Sequence, residues 1–440
     1  MADAPDMPSF RLVNARVPAC LTNAAVPADA EGLARVDLRI AQGRIAAIVP
    51  HDPAGVAGVA THALVDADGG IVLPGFVDAH VHLDKGHIWS RAPNPDGSFM
   101  GALTTVGADR EAHWSARDVQ ARMEFGLRCA YAHGTRAMRT HLDSVGPQTR
   151  ISWPVFAALR EAWRGRIALQ ASPLFGVDYA LDDAHLADVT AMLIEHGGPS
   201  PVLGAVTYMV PGLQEGLDRL FRLASDKGWA LDFHVDETHE ISARSLRVIA
   251  GTALRFKFPH PVLVGHCCSL AQHSAQEAAL TIDLVARAGL SVVSLPMCNM
   301  YLQDRVAGRT PRWRGVTALQ ELKAAGVNVM IASDNTRDPF YAYGDLDMLE
   351  VWREGTRILH LDHPFGDWAE SVTDAPARAL GLKGFGRLDA GSAADFMQFR
   401  ARSMTELFAR PQSDRAVFRD GMRSDARLPD YRELDGPPVY

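Results

Sequence analysis

The chain has 440 residues, of which 47% are hydrophobic, 22% charged and 8% aromatic, and its formal net charge is −8. These values are typical of a globular protein with a large core, and they exclude a disordered, collagen-like or coiled-coil chain. Because the sequence has no long basic stripe and no apolar run of membrane-spanning length, we expect neither nucleic acid nor a membrane as a partner.

The first 18 residues and the cysteines bear on the compartment. Residues 1–18 contain no basic segment followed by an apolar run, so a secretory signal is not predicted. The cysteines, at positions 20, 129, 267, 268 and 298, are odd in number and show no C-x-x-C spacing. This pattern argues against a disulfide framework or a cysteine zinc site. We therefore expect a cytoplasmic protein in which the adjacent Cys267 and Cys268 pack in the core.

The first predicted elements are short β-strands. Between residues 10 and 49, apolar stretches alternate with turn signals, including Gln42-Gly43. Residues 385–399 and 415–421, near the other end of the chain, show the same pattern. We predict a small β-sandwich domain built from both chain ends, residues 1–73 and 387–440, with an extended tail from residue 427.

The central part of the chain alternates strands with helices. Residues 71–76 indicate a buried strand interrupted by Pro74-Gly75, and most of the later strand-like runs follow a helix-length segment. These runs are TRAMRTHLD, WALDFHVDE, PVLVGHCCSL, LSVVSLPMCN and VNVMIASDN. Repeated units of this kind form parallel βα structure, and six or more of them favour a closed barrel. The predicted fold class is α/β, with a (β/α)8 TIM-type barrel over residues 74–386.

Five predicted strand ends carry side chains that bind metals or transfer protons. His80 and His82 lie two residues apart, so they point to one face of a strand and can chelate one ion. His234 offers a third imidazole, and Glu237 can transfer protons without entering the coordination shell. The other ends supply His141 with Asp143, His266, and Asp334. Because the active sites of such barrels lie at the carboxyl ends of the strands, this set predicts a metal-dependent hydrolase.

The same segments resemble the amidohydrolase superfamily, and within it the cytosine deaminase-like branch. The resemblance rests on PGFVDAHVHLDK, HVDE, GHCCSL, NMYLQDRVAGRTPRWRGV and SDNTRDPFYAYGDLDML. It covers residues 70–350 and continues more weakly through GSAADF. It implies one divalent ion, Zn²⁺ or Fe²⁺, because binuclear members carry a bridging lysine at the fourth strand, where this chain has GAVTYMV. The implied metal ligands are His80, His82, His234 and Asp334, and the implied catalytic residues are Glu237, His266 and Asp334.

The resemblance implies hydrolytic deamination of an amino-substituted nitrogen heterocycle, a cytosine-like pyrimidine or a pterin, with release of ammonia. Asp334 is expected to take a proton from the attacking water, Glu237 to protonate a ring nitrogen and His266 to hold the attacking oxygen. The other zinc deaminase pattern, with H-x-E and P-C-x-x-C ligands, is excluded because no histidine is followed two residues later by glutamate.

The substrate contacts are predicted from the same resemblance. Cytosine deaminase carries a glutamine after its third strand, and the matching stretch here, LQASPLFGVD, has Leu174, Phe175 or Gly176 at that position. The missing amide argues against cytosine and favours a larger or bicyclic ring such as a pterin. The residue after Asp334 is asparagine, as in triazine-processing relatives. The candidate substrate contacts are His141, Phe175, Asn335, Asp338 and Trp89, although His141, Asp338 and Trp89 also have a purely structural interpretation.

Two other interpretations remain open at this point. The same scaffold cleaves cyclic amides or removes an N-alkylamino group from a triazine-type ring, and the product that is released separates these reactions from deamination. A non-enzymatic scaffold is the third interpretation, which the complete ligand set disfavours. The expected partner is a small-molecule heterocycle, and we expect a homo-oligomer because barrels of this family commonly assemble.

Overall fold

The computed structural model describes residues 9–54 and 64–435, so the outer ends of the predicted sandwich and the last five residues of the predicted tail lie outside the described residues. Within these ranges the chain forms a barrel of parallel strands with helices around it, and two further sheets beside it. This architecture confirms the predicted fold class. The domain limits predicted above, 1–73 with 387–440 and 74–386, stay predictions.

The first sheet uses the N-terminal part of the chain. Its strands are β1 (Phe10–Pro18), β2 (Leu33–Ala41), β3 (Arg44–Pro50) and β4 (Leu64–Asp66), in the order β3-β2-β1-β4. Ala41 pairs with Arg44, which leaves Gln42 and Gly43 as a two-residue hairpin loop. Both loop residues have positive φ, 49° and 71°, as the tight hairpin turn that matches strand twist requires. The predicted turn is therefore confirmed.

The barrel strands run parallel and close into a ring. In the described chain they are β6 (Phe76–Val81), β7 (Thr135–Asp143), β8 (Ala168–Leu174), β9 (Val202–Thr207), β10 (Ala230–Val235), β11 (Val262–His266), β12 (Ser291–Ser294) and β13 (Asn328–Ile331), preceded by the short strand β5 (Val72–Pro74). Neighbouring strands pair in chain order. A bridge between Gly176 and Val206 joins β8 to β9, and one between Val81 and Asp334 joins β13 to β6.

The second flanking sheet combines distant parts of the chain. It contains β5 together with β14 (Phe396–Gln398), β15 (Ala416–Arg419) and β16 (Met422–Arg423), in the order β16-β15-β14-β5. An apolar cluster with Leu12, Val36, Val72, Phe396 and Phe418 joins the two flanking sheets. We call the two sheets and this cluster the end sandwich.

Helices cover the barrel. They are α1 (Phe99–His113), α2 (Ala116–His133), α3 (Thr149–Ala162), α4 (Asp183–His196), α5 (Leu213–Lys227), α6 (Ser245–Phe256), α7 (Ala275–Arg287), α8 (Pro296–Leu302), α9 (Leu319–Ala324), α10 (Met348–Leu359), α11 (Asp374–Ala379) and α12 (Met404–Ala409). The sequence marks many of their ends: the Ser115 side chain caps α2 by accepting from the Asp118 N–H, and Gly134 ends it with a φ of 107°. Among the described helices, none combines the length and hydropathy that a membrane span requires.

The alternation of β6 decides where its polar residues lie. Val77 and Ala79 belong to an apolar cluster with Ala375 and Ala377 of α11. Because successive side chains of a strand point to opposite faces, Asp78 and His80 lie on the other face. One face of β6 therefore packs against apolar residues, and the other carries polar side chains. His80, on the polar face, lies near the carboxyl end of the strand.

Candidate active site

Four histidines from three strands meet at the carboxyl end of the barrel. His80 is the penultimate residue of β6 with His82 just beyond the strand, His141 lies near the end of β7 and His234 near the end of β10. One ring nitrogen of each lies within 4.8 Å of the corresponding atoms of the others. All four side chains are buried. The parallel strands thus bring together four imidazoles from residues that span 154 positions of the sequence, from 80 to 234.

Asp334 joins this cluster from β13, the strand next to β6 in the ring. It follows β13, and its backbone N–H donates to the His80 carbonyl oxygen over 2.8 Å. Its carboxylate oxygen Oδ1 lies 3.5 Å from Nε2 of His80 and 3.2 Å from Nε2 of His82. The Asp334 backbone has a φ of 64°, a left-handed conformation that costs free energy in a non-glycine residue and concentrates at functional sites.

The donor set fits a divalent cation. Both Asp334 carboxylate oxygens, both His80 ring nitrogens and Nδ1 of His82 and of His234 are buried without a hydrogen-bond partner in the described chain. Burial, assisted by the neighbouring histidines, lowers the pKa of His80, His82 and His234 well below the ordinary value. These imidazoles are therefore neutral, which is the form that binds metal. Three neutral imidazoles and a carboxylate are ligands that suit a divalent transition metal.

Two titratable side chains lie beside this cluster. Glu237 follows β10, and burial, followed by the charge of Asp334, raises its pKa well above the ordinary value. His266 ends β11, and burial, with a contribution from His141, lowers its pKa to about 3. His266 Nδ1 lies 3.4 Å from Glu237 Oε1. A protonated carboxyl group and a neutral imidazole therefore border the donor set.

A cavity of about 1180 Å³ opens onto these groups. His82, His234, Glu237, His266 and Asp334 all line it. Its remaining wall is rich in aromatic side chains, among them Phe99, Phe175, Tyr179, Tyr208, Trp313 and Phe340. Wide apolar walls with a few convergent polar groups are typical of a site for a small organic ligand.

Comparison with known proteins identifies the family. The model of the Amidohydrolase family matches residues 63–180 and 177–421. The pterin deaminase of Rhizobium rhizogenes (strain K84) is 55% identical over 433 residues, which cover 98% of this chain and 97% of that protein.

The chain belongs to the amidohydrolase family. More distant proteins agree with this membership. The N-isopropylammelide isopropyl amidohydrolase of Pseudomonas sp. (strain ADP) is 23% identical over 354 residues. The aligned region covers 77% of the present chain and 82% of that protein. The crystal structure of 5-methylcytosine deaminase from Klebsiella pneumoniae superposes with a TM-score of 0.81 at 24% identity, covering 96% and 98% of the two chains. This likeness shows the fold.

The structure gives His141 a different position from the predicted one. It is absent from the described lining of the cavity and is fully buried behind it. Its ring centroid lies 4.1 Å from that of His80 and 4.6 Å from that of His234, and its Nε2 lies 3.2 Å from Asp232 Oδ1. In this amidohydrolase, His141 therefore packs against His80 and His234 behind the cavity wall.

Of the other predicted substrate contacts, Phe175 and Asn335 line the cavity, whereas Trp89 and Asp338 do not. Asp338 is buried and accepts hydrogen bonds from Asn335 Nδ2 over 2.7 Å and from the Phe340 N–H over 2.8 Å. It therefore holds Asn335 in place. Trp89 is half-buried, and its backbone N–H donates to the Arg337 carbonyl oxygen. Asp338 is therefore engaged within the loop that follows Asp334.

Two groups at the cavity were not predicted. Lys85 Nζ lies 2.7 Å from Asp143 Oδ1 and Arg110 Nη1 lies 2.9 Å from Asp143 Oδ2, so two cations share one carboxylate at the wall. The second group is Asn299, which is fully buried and contacts Glu237 and His266, both of which line the cavity. It is the first residue of the segment NMYLQDRVAGRTPRWRGV, and its signal in the sequence is its place just after a buried strand.

Proposed function

We propose that this amidohydrolase is a pterin deaminase, which replaces the exocyclic amino group of a pterin ring with an oxygen and releases ammonia. The observation that carries the proposal is the 55% identity to a pterin deaminase over nearly the whole of both chains. The site supports it, because the neutral histidines, the carboxylate and the protonated glutamate are the groups that hydrolysis of an amino-substituted ring requires.

The cofactor in this proposal is one divalent ion, Zn²⁺ or Fe²⁺, held by His80, His82, His234 and Asp334. Such an ion, when bound, lowers the pKa of a water molecule so that hydroxide is available near neutral pH. The stretch 204–210 has no lysine that could bridge two ions, which supports a single one.

The side chains of the protein would move the protons. One Asp334 oxygen takes a proton from the attacking water, while His266 donates a hydrogen bond to the attacking oxygen. Glu237, whose raised pKa keeps it protonated at neutral pH, protonates the ring nitrogen next to the reacting carbon. Asp334 then passes the proton it took to the amino nitrogen, and the bond between this carbon and that nitrogen breaks as the new hydroxyl group returns its proton to Glu237. Ammonia leaves and a carbonyl group remains. Water supplies the oxygen, so the atoms balance.

The cavity supports a bicyclic ring. Leu174, Phe175 and Gly176, the stretch in which cytosine deaminase has a glutamine, all line the cavity, and Phe175 forms an aromatic wall with Tyr179 and Tyr208. A volume of about 1180 Å³ exceeds the roughly 300–1,000 Å³ of typical small-molecule sites, which leaves room for two fused rings. Asn335, which Asp338 holds from behind, presents a fixed polar group to the substrate.

The test is ammonia release by metal-loaded protein from pterin, cytosine, isocytosine and 5-methylcytosine, with isopropylamine release from N-isopropylammelide measured in parallel. Asp334→Ala is the inactive control. Fast ammonia release from pterin, lost in the control, supports the proposal. Release of isopropylamine without ammonia from pterin would replace it with the alkylamine reaction, and preferred turnover of a pyrimidine would replace the substrate.

A further inference from the structure

Asn299 joins the two acid-base residues of the site. It lies in α8 with no exposed surface. Its amide nitrogen Nδ2 lies 3.0 Å from Glu237 Oε1 and 2.9 Å from His266 Nδ1. Glu237 and His266 come from different strands, so this one side chain connects two elements whose functional groups must reach the same substrate.

The chemistry of an amide determines what these contacts do. A side-chain amide nitrogen carries two protons and accepts none, so each contact places a donor on Asn299 and an acceptor on its partner. A protonated carboxyl group still accepts at the oxygen that carries no proton, so Glu237 Oε1 accepts from the amide and the Asn299 nitrogen faces this pair. The same nitrogen then requires an unprotonated Nδ1 on His266. The proton of the neutral imidazole is therefore on Nε2.

In this tautomer, the proton on His266 Nε2 is not used by the protein and faces the reacting centre. Nε2 is buried and has no hydrogen-bond partner among the residues that the structure describes. A ring nitrogen of His266 also lies within 4.8 Å of ligand atoms of His80 and Asp334. A proton on Nε2 is thus available to an oxygen atom at the reacting centre, whereas the opposite tautomer would present a lone pair to that atom.

The way α8 holds Asn299 agrees with a role in positioning. Gln303, one turn further along the chain, donates from Nε2 to the Glu237 carbonyl oxygen over 3.2 Å. The helix and the residue that ends it therefore contact both the side chain and the main chain of Glu237. The Asn299 oxygen Oδ1 is buried without a partner in the described ranges. Leaving a buried acceptor unpaired lowers stability, so stability alone does not account for an asparagine here.

We propose that Asn299 is a positioning residue, which orients the Glu237 carboxyl group and holds His266 in its Nε2–H tautomer. The kinetic consequence rests on the proposed function. The tautomer does not, because it follows from hydrogen bonds within the protein.

The experiment uses Asn299→Leu, which removes the donor, and Asn299→Asp, which replaces it with an acceptor of the same shape. The matched controls are Asn328→Leu and Asn328→Asp, because Asn328 Nδ2 also bridges two acceptors, Ser291 Oγ and the Ala375 carbonyl oxygen, at the start of β13. The zinc-loaded proteins are compared by kcat and KM for pterin, by melting temperature and by nitrogen NMR of labelled histidine. His266→Gln identifies the signals of His266.

We expect both Asn299 variants to lower kcat by at least about 100-fold with KM changed by less than about threefold, while the Asn328 variants keep kcat. In wild-type protein the NMR signals should show His266 protonated at Nε2. In Asn299→Asp the proton should move to Nδ1, which then donates to the new carboxylate.

Three results would overturn the proposal. These are a wild-type His266 protonated at Nδ1, a tautomer that neither Asn299 variant changes, and a kcat loss that the Asn328 controls reproduce in proportion to their melting temperatures. If the wild-type protein releases no ammonia from pterin, the proposed function fails, and the tautomer measurement still decides the role of Asn299.

Discussion

The end sandwich and the mouth of the barrel are both buried, but they are built in opposite ways. The sandwich joins apolar side chains from distant parts of the chain, such as Leu12, Val36 and Phe396, which bury area without polar atoms. The mouth buries His80 and Asp334 with polar atoms that lack hydrogen-bond partners in the described chain. Burial of this second kind costs free energy. The contrast separates residues that stabilise the fold from residues that the fold supports for chemistry.

The backbone shows the same contrast. Asp236, His266 and Asp334 follow or end barrel strands at the mouth with φ values of 47°, 67° and 64°. Each such conformation costs on the order of 1–3 kcal/mol in a non-glycine residue. In the end sandwich, Gln42 and Gly43 have positive φ because a tight hairpin requires it. Positive φ thus serves a turn in one region and directs functional side chains in the other.

Removal of the metal should have the largest effect and should affect only the mouth. We expect a chelator to reduce deaminase activity to the uncatalysed background and added zinc to restore it, with the far-ultraviolet circular dichroism unchanged. His82→Ala should lose bound metal as well, because it removes a ligand. His51→Ala is the matched control, since His51 pairs with Asp37 in the end sandwich over 2.7 Å. Metal loss in His51→Ala would contradict the claim that metal binding depends on the mouth of the barrel and not on the end sandwich.

Glu237→Gln should produce the next largest effect. The amide keeps the shape of the side chain but has no acidic proton, so we expect kcat to fall by about 10²–10⁴. The metal content, measured by elemental analysis, should stay unchanged because Glu237 is not assigned as a ligand. Glu277→Gln, at the outer helix α7, should leave kcat unchanged. Loss of metal in Glu237→Gln would instead make Glu237 a ligand.

The difference between the regions also explains what the sequence could predict. The strand alternation, the Gln42-Gly43 turn and the H-x-H spacing are local patterns, and they predict the fold class and the convergence of His80, His82, His234 and Asp334. Contacts across elements leave no local pattern. The loop after Asp334 directs Asp338 to Asn335 instead of the cavity, and Asn299 meets Glu237 and His266 only once β10, β11 and α8 are assembled.

Phe396→Ala should lower the stability of the end sandwich without changing the chemistry at the mouth of the barrel. Phe396 is 1% exposed, and its ring stacks on Phe418 with centroids 4.6 Å apart. Removal of a buried phenylalanine side chain typically lowers the free energy of unfolding by about 3–5 kcal/mol, which urea unfolding would measure. The kcat of the folded variant should stay within about twofold of wild type. If kcat fell more than tenfold although the variant was fully folded, the end sandwich would control the geometry of the active site.

The smallest predicted effect concerns the join between barrel and sandwich. Asp347 caps α10 by accepting from the Leu349 N–H. Arg415, which precedes β15, donates to both of its carboxylate oxygens over 2.7 and 2.5 Å. Burial alone would raise the pKa of Asp347, but the charges of Arg415 and His133 outweigh it, so the pKa lies below the ordinary value. The ionised carboxylate is therefore a link between the two regions.

Because the folded-state pKa of Asp347 is depressed, its contribution to stability is present above the unfolded pKa of about 3.9 and is lost as the pH falls through the folded value. We expect Asp347→Asn to lower the free energy of unfolding by about 2 kcal/mol at pH 7, the range for hydrogen bonds to a charged group. Urea unfolding at pH 7, 5 and 3 should show this difference shrinking toward acid, since the wild-type carboxyl group becomes neutral like the amide. Asp283→Asn, which affects an exposed pair with Arg287, should change stability by less than about 0.5 kcal/mol at each pH. A difference that grows toward acid would mean that Asp347 is protonated in the folded protein and that the join depends on shape rather than charge.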